Sequence, residues 1–423
     1  MRVGVISLGC AKNQVDTEYM MGLLRAGGHE FTSAPEAAEV LIVNTCGFIL
    51  PAKEESIEAV LQLAEYKRNG SCKLLAMTGC LVERYRDELK KELPEVDIFL
   101  GVREYEKLPL LLGSEAPKKA ERFLLNSPHR AYLRIGDGCS NRCSYCAIPL
   151  IRGALKSEPM DALVDEAKRL LDLGVTELTL IAQDTSGYGR DIYGKPMLIP
   201  LLKELDRLEG LHWIRVLYTY PDTVNEELLD VLSGGRRLVP YLDMPLQHIN
   251  DDMLKAMNRR GSKKHICRVL DYIRKNYPNF TLRTTMMVGF PGETEEQFSE
   301  LLRFLKDYPF DRVGAFSYSA EEDTVAADMN GQLPEDVKLQ RLDALMRWQQ
   351  PISKALNEAR IGEECELLIE DMDERYSYGR SVREAPDADG RIVVPRKAHH
   401  CIGNYVPIRL VEADYYDMRG ESL

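Results

Sequence analysis

Along the N-terminal quarter of the chain, two patterns of apolar and polar positions alternate. Short apolar runs are separated by longer amphipathic stretches in which apolar residues recur with helical spacing. This alternation predicts strand and helix repeats that build a parallel sheet. The predicted strands span residues 2–7, 40–44, 74–78 and 97–101, and the predicted helices span residues 15–27 and 51–67.

From about residue 130 a second and longer series of strand and helix repeats begins. Six apolar segments, most of them followed by a helical pattern, predict an open or partial (β/α) barrel. The ligand of such a barrel binds at the carboxyl ends of its strands. The predicted strands span residues 131–135, 178–182, 214–218, 239–244, 282–288 and 313–317, and a long amphipathic helix, interrupted by Pro351, spans residues 339–360.

After Gly362 the pattern changes to short strands that are divided by turn residues. Strands at residues 365–369, 376–382, 392–395 and 405–413 predict a small all-β barrel of the OB type. We therefore predict an α/β protein with an N-terminal parallel-sheet domain, a central partial (β/α)6 barrel and a C-terminal β-barrel. The three domains are expected at residues 1–115, 128–358 and 359–423, with a linker within residues 113–128.

Composition and charge exclude several classes of protein. The 423 residues carry 55 lysines and arginines against 67 aspartates and glutamates, a formal net charge of −12. Because phosphate binding depends on a basic surface, this charge argues against a general nucleic-acid coat protein. No apolar run reaches the ~18 residues of a membrane span, and the run at residues 3–8 is too short for a signal peptide. We expect a soluble, cytoplasmic protein whose ten cysteines stay reduced.

The strongest local signal is a group of three cysteines, Cys139, Cys143 and Cys146, which we call the barrel trio. They follow the first predicted barrel strand, and three thiolates on one loop can turn toward one point and leave a fourth position open. A structural zinc site normally has four protein ligands, whereas an iron–sulfur cluster with one iron free of protein ligands can bind a substrate there. We favour the cluster, with zinc or an incidental cysteine group as alternatives.

A second group of cysteines becomes visible only through the predicted fold. Cys10, Cys46 and Cys80, which we call the N-terminal trio, each follow a predicted strand by two or three residues. Because the carboxyl ends of parallel strands share one edge of the sheet, these distant thiols are predicted to converge on a second site. The other four cysteines have no such partners and are interpreted as packing or surface residues: Cys72, Cys267, Cys365 and Cys401.

The barrel trio, with Tyr145 before its last cysteine, resembles the signature of radical S-adenosylmethionine (SAM) enzymes. The C-terminal barrel resembles a TRAM domain, and the whole chain resembles the methylthiotransferases, in particular the branch that modifies a ribosomal protein. Three positions depart from the usual pattern, Ala11, Glu158 and Asp323, and none is an expected iron ligand. The motifs that carry the resemblance are LGCAKNQVD (8–16), NTCGF (44–48), TGC (78–80), CAIPLIRG (146–153), LIAQDTS (180–186), YP (220–221), LDMPLQH (242–248), VGFPGET (288–294) and YSAEEDT (318–324).

The resemblance implies that the barrel trio holds a [4Fe–4S] cluster whose fourth iron chelates SAM, and that the N-terminal trio holds an auxiliary [4Fe–4S] cluster that carries the sulfur to be inserted. Cleavage of SAM then gives a 5′-deoxyadenosyl radical, which removes hydrogen from a carbon beyond the reach of any side-chain base. A second SAM supplies the methyl group. A sulfur donor and a reductase or flavodoxin-type electron donor are implied as partners.

Five residues at predicted strand ends are candidate SAM contacts: Gln183, Asp184, Gln247, His248 and Gly289. An equally weighted interpretation is that these residues complete the hydrogen bonds of loops at the barrel mouth. Asp184 and His248 also fit a proton pathway.

The charge of the C-terminal barrel bears on the substrate. Residues 361–423 contain 14 acidic and 8 basic side chains, a net charge of −6. A barrel that binds tRNA should be basic, whereas an acidic one suits a basic protein such as a ribosomal protein. The acidic residues at 363–374 also fit a merely solvated face. The resemblance then implies transfer of a methylthio group to the β-carbon of an aspartate in the small-subunit ribosomal protein numbered twelve. The alternatives are a tRNA adenosine methylthiotransferase and a noncatalytic scaffold stapled by metal.

Overall fold

The computed structural model describes residues 1–115, 120–125 and 128–423. Residues 116–119 and 126–127 of the predicted linker lie outside the described residues. The domain boundaries themselves stay predictions.

The N-terminal part of the chain is a five-stranded parallel sheet flanked by helices, which confirms the predicted fold class for this region. Its strands are β1 (Arg2–Ser7), β2 (Glu30–Phe31), β3 (Val40–Thr45), β4 (Leu74–Gly79) and β5 (Ile98–Leu100), and its helices are α1 (Ala11–Ala26), α2 (Leu50–Asn69), α3 (Cys80–Glu92) and α4 (Leu108–Leu111). The strand order is β2-β1-β3-β4-β5. All residues of the central strand β3 are buried, as expected for a parallel strand that helices cover on both faces.

The central part is a partial barrel of six parallel strands, as predicted. The strands and helices are β6 (Arg130–Arg134), β7 (Gly136–Asp137), α5 (Ile148–Ile151), β8 (Lys156–Ser157), α6 (Met160–Asp172), β9 (Glu177–Ile181), α7 (Arg190–Tyr193), α8 (Leu198–Leu205), β10 (Trp213–Val216), α9 (Glu226–Gly234), β11 (Tyr241–Asp243), α10 (Asp251–Ala256), α11 (Lys263–Asn276), β12 (Thr281–Val288), α12 (Glu295–Asp307), β13 (Arg312–Ser317) and α13 (Glu335–Glu358). The barrel strands form two halves, β6-β9-β10 and β11-β12-β13, and β7 and β8 form a separate antiparallel pair. Apolar side chains between the strands and the outer helices, such as Leu180 and Leu301, are fully buried and form the largest core.

The longest helix, α13, begins four residues before its predicted start, ends two residues before its predicted end and is not interrupted. It continues through Pro351, although proline removes one helical hydrogen bond and usually kinks or ends a helix. Pro351 lies on the exposed side of α13, so the helix keeps its packing against β13. None of the helices in the described ranges is both long and apolar enough to cross a membrane.

The C-terminal part is a small closed β-barrel, which confirms the predicted all-β domain. Its strands are β14 (Glu364–Met372), β15 (Tyr376–Arg380), β16 (Ile392–Pro395), β17 (Tyr405–Ala413) and β18 (Met418–Ser422). The closed order is β14-β15-β16-β18-β17. The sequence pattern did not predict the closing strand β18, because it contributes a single large apolar side chain, Met418, to the core.

Candidate functional site

All six cysteines of the two trios line one cavity of about 310 Å³. The N-terminal sheet supplies one trio and the barrel mouth supplies the other, so the cavity lies where these two parts of the chain meet. Such a cavity at the carboxyl ends of parallel strands is the position at which α/β proteins bind their ligands. The two sites that the sequence predicted separately therefore share a single chamber.

Backbone geometry brings the N-terminal trio together at one edge of its sheet. Cys46 directly follows β3 and Cys80 directly follows β4, while Cys10 is the residue before α1. Gly9 adopts a left-handed φ of 89°, and a Cβ at this position would lie 2.9 Å from the Cβ of Cys46. A side chain at position 9 is thus excluded on two grounds, strain and contact. The close approach of the β1 and β3 loops places the Cys10 and Cys46 thiols near each other.

The barrel trio lies on the loop between β7 and α5, and backbone hydrogen bonds hold this loop. Cys139 N donates to Gly153 O at 3.0 Å, and Cys146 N donates to Cys143 O at 3.1 Å. The Cys143 Sγ lies 3.7 Å from the Tyr220 hydroxyl and 3.8 Å from Arg259 Nη1. These contacts orient the loop toward the cavity.

Burial in this cavity disfavours the charged form of the thiols. Desolvation raises the pKa of Cys80 and of Cys146 to about 12 and that of Cys139 to about 11. Each of these thiols also feels the negative charge of other members of its own trio. Metal binding at such cysteines displaces their protons. Within the described ranges no three metal-binding side chains converge as the ligands of one ion would.

Arg152 joins the two halves of the site. Its side chain is only 1% exposed and donates to Asp16 at 2.8 Å and to Asp137 at 3.0 Å. It also donates to the Asn13 side chain at 2.7 Å and lies 3.5 Å from the Cys80 Sγ. Asp16 and Asn13 belong to α1, whereas Asp137 belongs to β7, so this guanidinium helps to hold the N-terminal sheet against the barrel. The ion pair between Arg134 and Asp16 joins the same two parts.

Replacing Arg152 with methionine is expected to lower the free energy of unfolding by about 3 kcal/mol, because two buried carboxylates lose a partner. Urea unfolding measures the change. The matched control is Arg207→Met, whose exposed pair with Glu204 is expected to contribute less than about 0.5 kcal/mol. Equal losses in the two variants would show that Arg152 does not hold the two parts together.

Two of the five predicted SAM contacts line the cavity, Gln183 and Gln247. The side-chain Oε1 atoms of both are buried and have no hydrogen-bond partner in the described part of the chain. Buried polar atoms are normally paired, so both amides have an acceptor available for a ligand. Gln247 also adopts a left-handed φ of 72°, a conformation that is uncommon outside glycine and is often found at binding sites.

The other three predicted contacts do not line the cavity, and their assignment stays a prediction. Asp184 accepts hydrogen bonds from Asn141, Ser186 and Gly187. His248 lies 3.2 Å from Glu293, which in turn accepts from the backbone N–H of Gly289. These hydrogen bonds lie within the loops at the barrel mouth.

Four further residues line the cavity that the sequence pattern did not single out: Lys12, Tyr218, Tyr220 and Arg259. The Lys12 Nζ lies 3.1 Å from the centroid of the Tyr218 ring, and the Arg259 guanidinium lies 4.5 Å from that of Tyr220. Lys12 and Tyr220 lie inside motifs quoted above, and this position was the signal that could have indicated them. Burial lowers the pKa of Lys12 to about 8.

Family models match the three parts of the chain. Residues 2–101 match the Uncharacterized protein family UPF0004, residues 133–305 match the Radical SAM superfamily and residues 361–423 match the TRAM domain. Two curated relatives, each named ribosomal protein uS12 methylthiotransferase RimO, are similar over nearly the whole chain. The relative from Clostridium botulinum (strain Eklund 17B / Type B) is 45% identical and covers 99% of this chain and 97% of its own. The relative from Dictyoglomus thermophilum is 44% identical and covers 99% of both chains.

Solved structures share the fold at low sequence identity. The radical SAM methyltransferase TsrM from Kitasatospora setae aligns with a TM-score of 0.55 and 14% identity, over 77% of this chain and 76% of its own. The cobalamin-dependent radical SAM enzyme OxsB aligns with a TM-score of 0.53 and 10% identity, over 83% of this chain and 56% of its own. Both support the arrangement of a radical SAM barrel joined to an α/β domain.

Proposed function

This chain belongs to the RimO family of ribosomal protein uS12 methylthiotransferases, and from that membership we propose that it transfers a methylthio group to uS12 by radical SAM chemistry. The carbon modified is the β-carbon of an aspartate, as the resemblance of the motifs implies. The observation that carries the proposal is the single cavity lined by both cysteine trios. A reaction that joins sulfur to a carbon activated by a radical needs both sites within reach of one substrate atom.

The donor sets fit the proposed cofactors. Each trio offers three thiols, the ligand type that iron–sulfur clusters require, and Gln183 and Gln247 have unpaired buried oxygens beside the barrel trio. When bound, a [4Fe–4S] cluster at the barrel trio supplies the electron that cleaves SAM, and one at the N-terminal trio supplies the site from which sulfur is transferred.

The chain's own residues orient the reactants and exclude water. Gln183 and Gln247 accept hydrogen bonds from SAM at the barrel mouth, and Arg259 stacks on Tyr220 beside Cys143. Apolar side chains such as Phe48 and Ile151 line the space between the trios. An apolar lining limits the water beside a reactive radical and so limits side reactions.

The acidic residues of the C-terminal barrel are weaker support for a protein substrate than their number indicates, because several of them are paired. Glu370 and Glu384 are in ion pairs with arginines, and Asp387 pairs with Arg130 of the radical SAM barrel. These charges hold the small barrel in place and do not steer a partner. The remaining exposed carboxylates still leave this surface unsuited to phosphate binding, which draws its affinity from basic side chains.

The direct test incubates the anaerobically reconstituted protein with methyl-labelled SAM, dithionite and either uS12 or tRNA. We expect the label in uS12 and none in RNA. Label in RNA, with a rate that falls steeply as salt rises, would support the tRNA adenosine alternative instead. A colourless protein that binds zinc and leaves SAM intact would support the noncatalytic scaffold.

Iron and acid-labile sulfide content gives a further prediction. We expect about eight of each per chain in oxygen-free material, because two [4Fe–4S] clusters bind at two separate trios. Replacing all three cysteines of either trio by alanine should halve both values to about four. If loss of one trio removes all the iron, the two sites are not independent.

The partners follow from this chemistry. We propose a reductase or flavodoxin-type electron donor and a separate sulfur donor, and we place the reaction in the cytoplasm, where ribosomal proteins are made.

A further inference from the structure

The cavity between the two trios has a cationic lining. Lys12, Arg152 and Arg259 line it, and in the described part of the chain no aspartate or glutamate does. A partly desolvated chamber with this lining favours an anion, because charges interact more strongly there than in water.

Two of the three cations are already engaged. Arg152 forms ion pairs with Asp16 and Asp137. Arg259 donates to the Tyr145 hydroxyl at 3.0 Å and to the Pro245 carbonyl at 2.5 Å. Their Nη groups therefore hold the walls of the cavity, and only the buried Arg259 Nε has no hydrogen-bond partner among the described residues.

Lys12 differs from both arginines. Its side chain is largely buried, with 7% of the residue exposed, and its Nζ forms no hydrogen bond or ion pair with any of the residues that the structure describes. Among charged groups, the Cys10 thiol acts on Lys12 most strongly, followed by Asp243. The two carboxylates that act on Lys12 are already paired, Asp243 with Arg283 and Asp137 with Arg152. A buried ammonium that lacks a carboxylate partner is costly unless a ligand supplies one.

The ring beneath Lys12 is itself held in an unusual conformation. Tyr218 adopts a left-handed φ of 62°, which is uncommon for a bulky residue. Its backbone N–H donates to Asp243 at 2.9 Å, and its carbonyl accepts from the Thr185 N–H at 3.0 Å. This strained backbone turns the aromatic face toward the Lys12 Nζ, 3.1 Å from the ring centroid, and so fixes where the ammonium sits.

We propose that the Lys12 ammonium binds the side-chain carboxylate of the substrate aspartate. This inference rests on the proposed function and assigns a specificity residue to it. Lys12 lies on the first turn of α1, two residues after Cys10, in the same cavity as the barrel trio. A carboxylate bound to Nζ holds the adjacent β-carbon, one bond away, inside the chamber that both trios line.

The test compares the binding of two substrates by two holoenzymes. Fluorescently labelled uS12 and its variant with asparagine in place of the target aspartate are titrated anaerobically with wild-type and Lys12→Met protein, both loaded with clusters. We expect wild type to bind the aspartate form on the order of 100-fold more tightly than the asparagine form. In Lys12→Met the two dissociation constants should agree within about threefold. Lys12→Arg should restore most of the preference.

Two controls separate a carboxylate-binding role from a role at the auxiliary cluster. Lys90→Met, at an exposed position of α3, should keep the wild-type preference. The iron content of Lys12→Met should equal that of wild type. Loss of iron in Lys12→Met, or equal weakening of both substrate forms, would overturn the inference.

The experiment distinguishes a failure of the inference from a failure of the proposed function. If wild-type protein neither binds nor modifies uS12, the proposed function is wrong and the inference falls with it. If wild type modifies uS12 but Lys12→Met retains the preference for aspartate, only the role of Lys12 is wrong.

Discussion

A Cys143→Ala variant is expected to lose SAM cleavage down to the background rate of a protein-free control. Cys143 is the middle member of the barrel trio, and a cluster held by the two remaining thiols lacks the three-point attachment that leaves one iron open for SAM. The measurement is the amount of 5′-deoxyadenosine formed with dithionite under anaerobic conditions. Product at the wild-type rate would mean that the trio does not hold the cluster.

The fold should survive the Cys143→Ala change. The Cys143 side chain is partly exposed toward the cavity, and its contacts with Tyr220 and Arg259 are longer than 3.5 Å. The matched control is Cys267→Ala on α11, which packs against the barrel core away from the cavity. Cys267→Ala should cleave SAM at the wild-type rate and unfold at a similar urea concentration.

A Cys46→Ala variant is expected to behave differently from Cys143→Ala. It should cleave SAM at close to the wild-type rate but form no methylthiolated uS12, because the N-terminal trio is assigned to sulfur transfer and not to radical formation. Liquid chromatography of 5′-deoxyadenosine and mass spectrometry of uS12, performed on the same reaction, measure the two outcomes together. Unchanged methylthio product would remove the N-terminal trio from the mechanism.

Cys72→Ala is the control for Cys46→Ala, since Cys72 belongs to the same sheet domain. Its thiol is buried in the core beside that sheet and donates a hydrogen bond to the Leu74 carbonyl at 3.3 Å. The change should cost about 1 kcal/mol of stability and leave both products in place. A defect shared by Cys72→Ala and Cys46→Ala would indicate damage to the sheet domain in general.

The pair of cysteine variants also separates the proposed function from its alternatives. A scaffold stapled by zinc predicts no SAM cleavage in wild type or in either variant. A tRNA adenosine methylthiotransferase predicts the same division between cleavage and insertion, but with the label in RNA. The variants therefore test the two sites, and the choice of substrate tests the branch of the family.

The sequence alone predicted most of the strands and pointed to two groups of candidate ligand cysteines. Strand β1 was predicted at its observed bounds, and β3, β4 and β12 within a residue or two, because buried parallel strands are continuous apolar runs that end at glycine or polar residues. The barrel trio was visible because its members share one short loop. The N-terminal trio needed only one further rule, that parallel strands end on the same edge of a sheet.

Other features of the C-terminal barrel could not be predicted, because their signals in the sequence are weak or nonlocal. Strand β18 has too little apolar pattern to be recognised, yet it closes the C-terminal barrel through hydrogen bonds to β16 and β17. The acidic composition of that barrel overstates its unpaired charge, because Glu384 and Asp387 are in ion pairs with arginines. Counting charges along a chain does not reveal which of them have partners.

The sequence by itself determined which residues could hold two clusters, since the type and the local spacing of the ligands are properties of the sequence. Only the tertiary structure decided that both trios open into one cavity and that Lys12 stands there without a carboxylate. These facts depend on how ion pairs such as those of Arg152 and Arg134 join the two parts of the chain, and on which charges neutralise each other. Such long-range pairing arises from packing in three dimensions and leaves no periodic pattern in the sequence.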